Sequence, residues 1–375
     1  MRFITTCLFG LERLAGEDID ALGYKRISTS EGRIEFEAPP EAMVYCNINF
    51  RYSERVYIKL GEFTALTFDN LFEGTKALNW EDFISSSDAF PVKGHSLKSK
   101  LFSLPDCQSI IKKAICTRLS GVYGIKTFPE TGVKKQVVFF IKDDTACLML
   151  DTTGVPLHKR GYRMESNIAP IRETLAAAMV NLSRPRERVM TVDPMCGSGT
   201  ITIEAALLAT NTAPGLNRSF AFQEYGIIDG KIFDSAIEEA KSRIKPPEMG
   251  IFGLDIDKTC IETSVSNAKR AGVIDYIKYK TGDVTKFSSP LPGERGTVVT
   301  NPPYGERMLD KGEVEILERE MGKAFEREIP GWQLYIISAD EMFEKHFGRR
   351  ADKKRLLYNG MIKCWFYQFY KSNKH

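Results

Sequence analysis

Apolar residues recur along this chain with two periods. Leu11, Leu14, Ala15, Ile19 and Leu22 have the spacing of one helical face. Arg33-Ile34-Glu35-Phe36-Glu37 alternates instead, as a strand with one buried side does. Phe3-Ile4-Thr5-Thr6 and Val56-Tyr57-Ile58-Lys59-Leu60 are further strand candidates, so residues 1–64 read as a small α/β module. A helix-like stretch at 107–119 then lies between Phe90-Pro91-Val92 and two apolar runs at 137–141 and 146–150, with Asp143-Asp144 as the turn between those runs. A connector over 154–170 leads to a helix-like stretch at 171–182.

From about residue 165 the rhythm changes. Strand-like runs at 189–192, 249–254, 276–280, 298–300 and 333–338 alternate with helix-like stretches at 200–209, 259–270 and 314–327. This alternation predicts a parallel sheet with helices on both faces. Near the end, Asn359-Gly360 separates two apolar runs, which predicts a closing antiparallel hairpin. The chain therefore divides into 1–64, 65–158 and 165–375, without internal repeats.

Composition narrows the function classes. With 43% hydrophobic and 27% charged residues in 375, a folded chain is expected. No apolar run approaches the ~20 residues that span a bilayer. Glu12, Arg13, Glu17 and Asp18 follow the first apolar patch too closely for a signal peptide. The eight cysteines form no Cys-x-x-Cys pair and have no histidine at metal-ligand spacing, so reduced thiols, a cytoplasmic location and no metal site are expected. The net charge of +3 gives no global polyanion signal, but its distribution is uneven. Lys93, Lys98, Lys100, Lys112, Lys113, Arg118, Lys126, Lys134 and Lys135 are opposed within their stretch by Asp106 and Glu130 alone, and His95 sits among them. They form either a solvated face or a phosphate-contacting surface. The tail from Lys345 onward is also basic. It reads as a charged sheet edge or as a second nucleic-acid contact.

The chemistry gathers at strand ends. The run at 189–192 ends in Asp193-Pro194-Met195-Cys196-Gly197-Ser198-Gly199-Thr200 and opens a helix. Its glycines permit a sharp turn close to a ligand, and the helix start directs N–H groups there. The pattern is neither Gly-x-Gly-x-x-Gly nor a phosphate loop, and no histidine is near in sequence to activate Cys196. A purely structural turn is the plain alternative. Asp255-Ile256-Asp257 ends another strand, where an acid accepts both hydroxyls of a ribose or merely caps a helix. It lies well beyond the ~20 residues usual for a dinucleotide site, and 210–247 reads as the insertion that accounts for the gap. Gly282-Asp283-Val284 ends a third strand, suited to an adenine amino group or to an ordinary turn. Thr297-Val298-Val299-Thr300 ends in Asn301-Pro302-Pro303-Tyr304.

These strand ends, in this order, resemble those of the class I S-adenosylmethionine-dependent methyltransferases. The resemblance implies that Asp193, Met195, Cys196, Gly197, Ser198, Gly199 and Thr200 bind the cofactor. It implies that Asp255 with Ile256 takes the ribose, and Asp283 with Val284 the adenine end. Asn301, Pro302, Pro303 and Tyr304 are similar to the amino-methylating signature. Its acceptors would orient a poorly nucleophilic planar amino group, and Tyr304 would stack on the base. Residues 90–162, with Lys93-Gly94-His95-Ser96, resemble a THUMP RNA-binding domain, and 7–23, with Gly10-Leu11-Glu12, resemble the ferredoxin-like module that precedes it. RNA contacts are then expected at Lys93, His95, Lys98, Lys100, Lys112, Lys113 and Arg118.

The whole chain is similar to bacterial 23S ribosomal RNA guanine-N2 methyltransferases. The expected fold is an α/β, Rossmann-like methyltransferase sheet with a C-terminal antiparallel hairpin, preceded by the ferredoxin-like and THUMP units. Some family members carry a second methyltransferase domain. This chain stops after the hairpin, so one reaction is expected. The alternatives are a transfer RNA guanine-N2 methyltransferase, a DNA adenine-N6 or protein glutamine-N5 methyltransferase, and a non-catalytic RNA assembly factor.

Overall fold

The computed structural model describes residues 1–163, 171–303 and 311–370. Within the first 151 residues lie β1 (Arg2–Cys7), α1 (Glu12–Ala21), β2 (Lys25–Ser30), β3 (Arg33–Glu37), α2 (Ala42–Asn49), β4 (Ser53–Thr64), α3 (Phe68–Lys76), β5 (Val92–Leu97), α4 (Leu104–Tyr123), β6 (Val137–Lys142) and β7 (Thr145–Asp151). They form one seven-stranded sheet in the order β2-β3-β1-β4-β7-β6-β5. Strand β5 pairs with β6 in parallel, and the other pairings are antiparallel. Twelve-residue β4 pairs with β1 on one side and β7 on the other, which makes the sheet continuous. Asp143 and Asp144 both take positive φ, 49° and 61°, and form the expected tight turn.

The sequence pattern does not reveal β2, α2, α3 or β5. All six residues of β2 are exposed, so no apolar face alternates. Helix α2 is the opposite case, being buried on nearly every side.

The second half contributes α5 (Glu173–Leu182), β8 (Met190–Asp193), α6 (Thr200–Ala209), α7 (Gly230–Ser242), β9 (Ile251–Asp255), α8 (Lys258–Arg270), β10 (Ile277–Thr281), β11 (Gly296–Thr300), α9 (Lys311–Glu328), β12 (Gln333–Ser338), α10 (Phe343–Phe347), β13 (Lys353–Asn359) and β14 (Ile362–Phe369). The sheet order is β10-β9-β8-β11-β12-β14-β13. The first five strands are parallel, and β14 runs antiparallel between β12 and β13. The expected parallel sheet with a closing hairpin is therefore present. Its turn is shifted by one residue from the Asn-Gly expectation. Asn359 still pairs with Ile362, so Gly360 and Met361 form the loop, with Gly360 at φ 66°.

Strand order reverses between β8 and β11. Helices leave these two strands toward opposite faces of the sheet, which opens a crevice at their C-terminal ends. Among the described residues, no helix is long and apolar enough to cross a membrane.

The 210–247 insertion does more than lengthen the chain. The Gly215 amide donates to the Ile48 carbonyl at 2.9 Å, and the Arg51 guanidinium donates to the Thr212 carbonyl at 2.7 Å. Arg218 donates to the carbonyls of Pro156 and Lys159 at 2.7 and 2.8 Å. The insertion thus fastens the methyltransferase-like half to the N-terminal sheet. Glu54 adds a second clamp, bonded to His158 at 2.6 Å, Thr174 at 2.6 Å and Arg172 at 3.2 Å. Burial raises the pKa of its carboxyl, but these partners outweigh that effect and hold it below the usual value. One hydrophobic cluster runs from Phe3 and Phe36 through Leu175 and Ile201 to Phe366.

A Cβ at Gly215 would sit 2.6 Å from the Ile48 Cα, whereas one at Gly230 meets nothing. Gly215→Ala is therefore expected to destabilise by about 1–3 kcal/mol through overpacking. Gly230→Ala is expected to stay within about 0.5 kcal/mol of wild type. Thermal melts of both variants check this, and equal midpoints would contradict the fastening role.

Candidate active site

At the reversal point, the strand ends enclose a cleft of about 450 Å³. Ten of the eleven residues predicted to bind the cofactor line it, Gly199 being the exception. Asn301 and Pro303 line it too, while Pro302 is buried beside them. Tyr304 lies outside the described residues. Sequence reasoning missed Ile171, Leu317 of α9, Thr300, Ile201 and Cys260. The first two come from distant segments with no motif, and Thr300 reads as the last residue of an apolar strand.

Gly199 acts from beneath the cleft. It takes φ 80° at the start of α6, and a Cβ there would lie 2.8 Å from the Tyr279 hydroxyl. The turn is held from outside by Ser264, whose hydroxyl donates to the Gly197 carbonyl at 2.7 Å, and by Asn267, whose amide donates to the Ser198 carbonyl at 3.0 Å. The Gly197 amide is not available to a ligand. It donates to Asp255 Oδ2 at 2.8 Å. Asp255 Oδ1 accepts from the Asp257 amide at 3.0 Å. A carboxylate has about four acceptor sites, so this leaves capacity for a vicinal diol. Asp283 Oδ1 caps a short turn by accepting from the Thr285 amide and hydroxyl, each at 2.8 Å.

The cleft is acidic. Asp193, Asp255, Asp257 and Asp283 line it, and no lysine, arginine or histidine does so among the described residues. Burial pushes the Asp193 carboxyl from 3.8 up to about 7, and the nearby Asp255 charge adds to this against hydrogen bonds from Thr300 and Met195. Burial also raises the Cys196 thiol well above its usual value, with Asp193 and Asp255 adding to the effect. Cys196 is therefore no activated nucleophile.

The last feature is an acceptor without a donor. Asn301 Oδ1 is buried and has no hydrogen-bond partner among the described residues. An unmatched buried acceptor costs about 1–3 kcal/mol. One residue back, the Thr300 hydroxyl donates to Asp193 Oδ1 at 2.7 Å and ties the end of β11 to that of β8.

The predicted RNA surface divides. Lys93, His95, Lys98, Lys100 and Lys113 are exposed. Lys112 pairs with Glu130 at 2.6 Å and covers the Phe90 ring, and Arg118 pairs with Glu81. Lys135 is buried against Asp88 at 2.8 Å. These three cations are engaged within their own domain. Elsewhere, Glu318, Asp340 and His346 bring ligand-type atoms within 4.8 Å of one another. His346 Nδ1 lies 3.1 Å from Glu318 and 2.9 Å from Asp340, which ties α9 and α10 to the end of β12.

Residues 160–368 match the model of the RMKL-like methyltransferase domain. The chain belongs to the RMKL-like methyltransferases. Ahead of that match lie a RlmL ferredoxin-like domain at residues 2–57 and a THUMP domain at 65–151. The putative RNA methyltransferase YpsC of Bacillus subtilis (strain 168) is 41% identical over 372 residues, covering 98% of this chain and 95% of its own. The putative methyltransferase SMU.472, solved in complex with SAH, superposes with a TM-score of 0.92 at 38% identity, covering 100% and 99% of the two chains. A predicted N6-adenine-specific DNA methylase from Listeria monocytogenes str. 4b F2365 does so with a TM-score of 0.91 at 41% identity, covering 98% and 96%.

This RMKL-like chain is thus an S-adenosylmethionine-dependent methyltransferase with a THUMP domain ahead of its methyltransferase half. Its cleft fits that cofactor. The acidic lining, without cations among the described residues, suits a ligand carrying sulfonium and ammonium charges, and the two acceptor sites left on Asp255 suit a ribose.

Because the folded-state pKa of Asp193 is raised, its ionised form destabilises the free protein. Stability is lost as pH rises from 3.8 through about 7. Asp193→Asn is expected to abolish this loss, so its stability advantage grows over that range and levels off above it. S-adenosylhomocysteine affinity at pH 8 is expected to fall about tenfold in the variant. Melts across pH, with calorimetric titration, check both. Parallel pH profiles for variant and wild type would contradict the assignment.

Proposed function

We propose that this enzyme methylates the exocyclic N2 of a guanine in RNA, with 23S ribosomal RNA as substrate. The observation that carries the reading is Asn301 Oδ1, a buried acceptor at the cleft without a donor among the described residues. The amino group of a base has two N–H bonds and a lone pair delocalised into the ring. Asn301 Oδ1 accepts one N–H, and the Pro302 carbonyl accepts the other. This arrangement turns the nitrogen lone pair toward the cofactor side of the cleft. Positive charge developing on the nitrogen is stabilised by the same acceptors. Bound S-adenosylmethionine supplies an electrophilic methyl group.

Pro302 and Pro303 stiffen the turn and bring no N–H to compete for the acceptors. Tyr304 is assigned to stack on the extruded base. Asp255 holds the ribose and Asp283 the adenine amino group. No strong base is needed, because the nitrogen sheds its proton only after it has become acidic. This is consistent with a cleft without histidine among the described residues.

The guanine and ribosomal assignments draw on the resemblance to 23S guanine-N2 methyltransferases and on the RlmL ferredoxin-like, THUMP and methyltransferase domain order. A second reading, adenine N6, is favoured by the name of the Listeria relative, and the same two acceptors serve it. An intact Asn301 argues against a non-catalytic assembly role.

Asn301→Ala is expected to lower methyl transfer by about 100-fold or more, with S-adenosylhomocysteine affinity kept within about threefold. Full activity in a single-turnover assay would overturn the role. Lys98→Glu with Lys100→Glu is expected to weaken RNA binding about tenfold or more through lost phosphate contacts. Cofactor affinity should be unchanged by that pair. Equal loss of both affinities in calorimetric titrations would point to misfolding instead.

A further inference from the structure

The β13–β14 hairpin rises from the same rim of the sheet as the catalytic strand end. Parallel pairing sets Thr300 level with Ile336, and antiparallel pairing sets Trp365 level with Ser338, two residues nearer the rim. Neighbouring strands lie ~4.8 Å apart, which puts Trp365 about 10 Å sideways from the end of β11, while the tip stands ~13 Å higher. Met361 at that tip is 98% exposed.

Cross-strand pairing places Tyr358, Lys363, Trp365 and Lys354 on one face of the hairpin. The partly exposed Trp365 ring has Lys363 Nζ at 5.6 Å and Lys354 Nζ at 5.9 Å from its centroid. Phe9 of the N-terminal module, 53% exposed, meets Tyr358 edge-on at 5.8 Å and extends the aromatic surface. Glu344 holds Lys354 at 2.6 Å, but Lys363, Lys353 and Arg355 have no ion pair among the described residues.

We infer that this hairpin is an RNA-gripping arm that stacks unpaired nucleotides flanking the target base on Trp365 and Tyr358, with Lys363 on their phosphates. The inference rests on the RNA substrate proposed above. Aromatic rings with adjacent cations suit unstacked bases, every one of which offers a π-face. A regular duplex keeps its bases stacked and offers the rings nothing. The cations without acid partners favour a polyanion over an apolar peptide.

Trp365 also supplies the readout, because the other two tryptophans, Trp80 and Trp332, are buried at 0% and 6% exposure. The full chain is titrated with a short single-stranded RNA and with a blunt RNA duplex of equal length, and tryptophan emission is followed. The single strand is expected to quench emission, the duplex is not, and Trp365→Phe removes the signal. Met361→Asp with Lys363→Glu alters exposed positions outside the core. It is expected to raise the KM for RNA about tenfold and to reduce the salt dependence of binding by about one phosphate contact. S-adenosylhomocysteine affinity should be unchanged.

Methylation with an unaltered KM for RNA in that double variant overturns the inference and assigns the arm to a protein partner, while the proposed chemistry stands. Equal quenching by duplex also overturns it. If wild-type protein neither binds nor methylates any RNA, the substrate reading itself falls, and the arm with it.

Discussion

One hydrogen bond spans the point on which the site depends. The Thr300 hydroxyl reaches Asp193 across the reversal of strand order and fixes the end of β11 against the end of β8. The glycine turn at 193–200 grows from one of these strands, and Asn301 follows directly on the other. Their separation therefore does not rest on loop conformation. Parallel pairing of β8 with β11 sets the same spacing through the backbone. The site is rigid on both sides because each is the end of a buried central strand, and the groups that meet a ligand need no reorganisation.

The second dependence is between the halves of the molecule. An RNA-binding unit is useful to a methyltransferase only if it stands at a fixed distance from the cleft. The 210–247 insertion supplies part of that fixation through Gly215 and Arg218, and the Glu54 clamp joins β4 to the connector and α5. The long β4 then carries the arrangement outward, since its two edges belong to the ferredoxin-like and THUMP parts. The hairpin face meets the N-terminal module at Phe9 and Tyr358, so the arm and the module share one surface.

Much of this was legible in the sequence. The alternating strands and helices of the second half carried their periodicity plainly, because the central strands β8, β9, β11 and β12 are buried along most of their length and α8 is buried on one face only. The strand-end acids and the glycine turn led directly to residues that share one cleft. What stayed hidden had physical reasons. Exposed β2 and the thoroughly buried α2 lack the one-sided pattern that reveals an element. Leu317 and Ile171 reach the cleft from segments whose chemistry is ordinary. The engagement of Lys112, Arg118 and Lys135 with acids of their own domain depends on tertiary contacts, so a count of charges overstated the free cation density there. The Gly197 amide was spent on Asp255 for the same reason.

The most direct measurement is a transfer assay with methyl-labelled S-adenosylmethionine and separated, unmodified 23S, 16S and transfer RNA, followed by nucleoside analysis. The account predicts label in N2-methylguanosine from the 23S fraction alone. Label in N6-methyladenosine, or no label in any fraction from protein that still binds the cofactor, would contradict it.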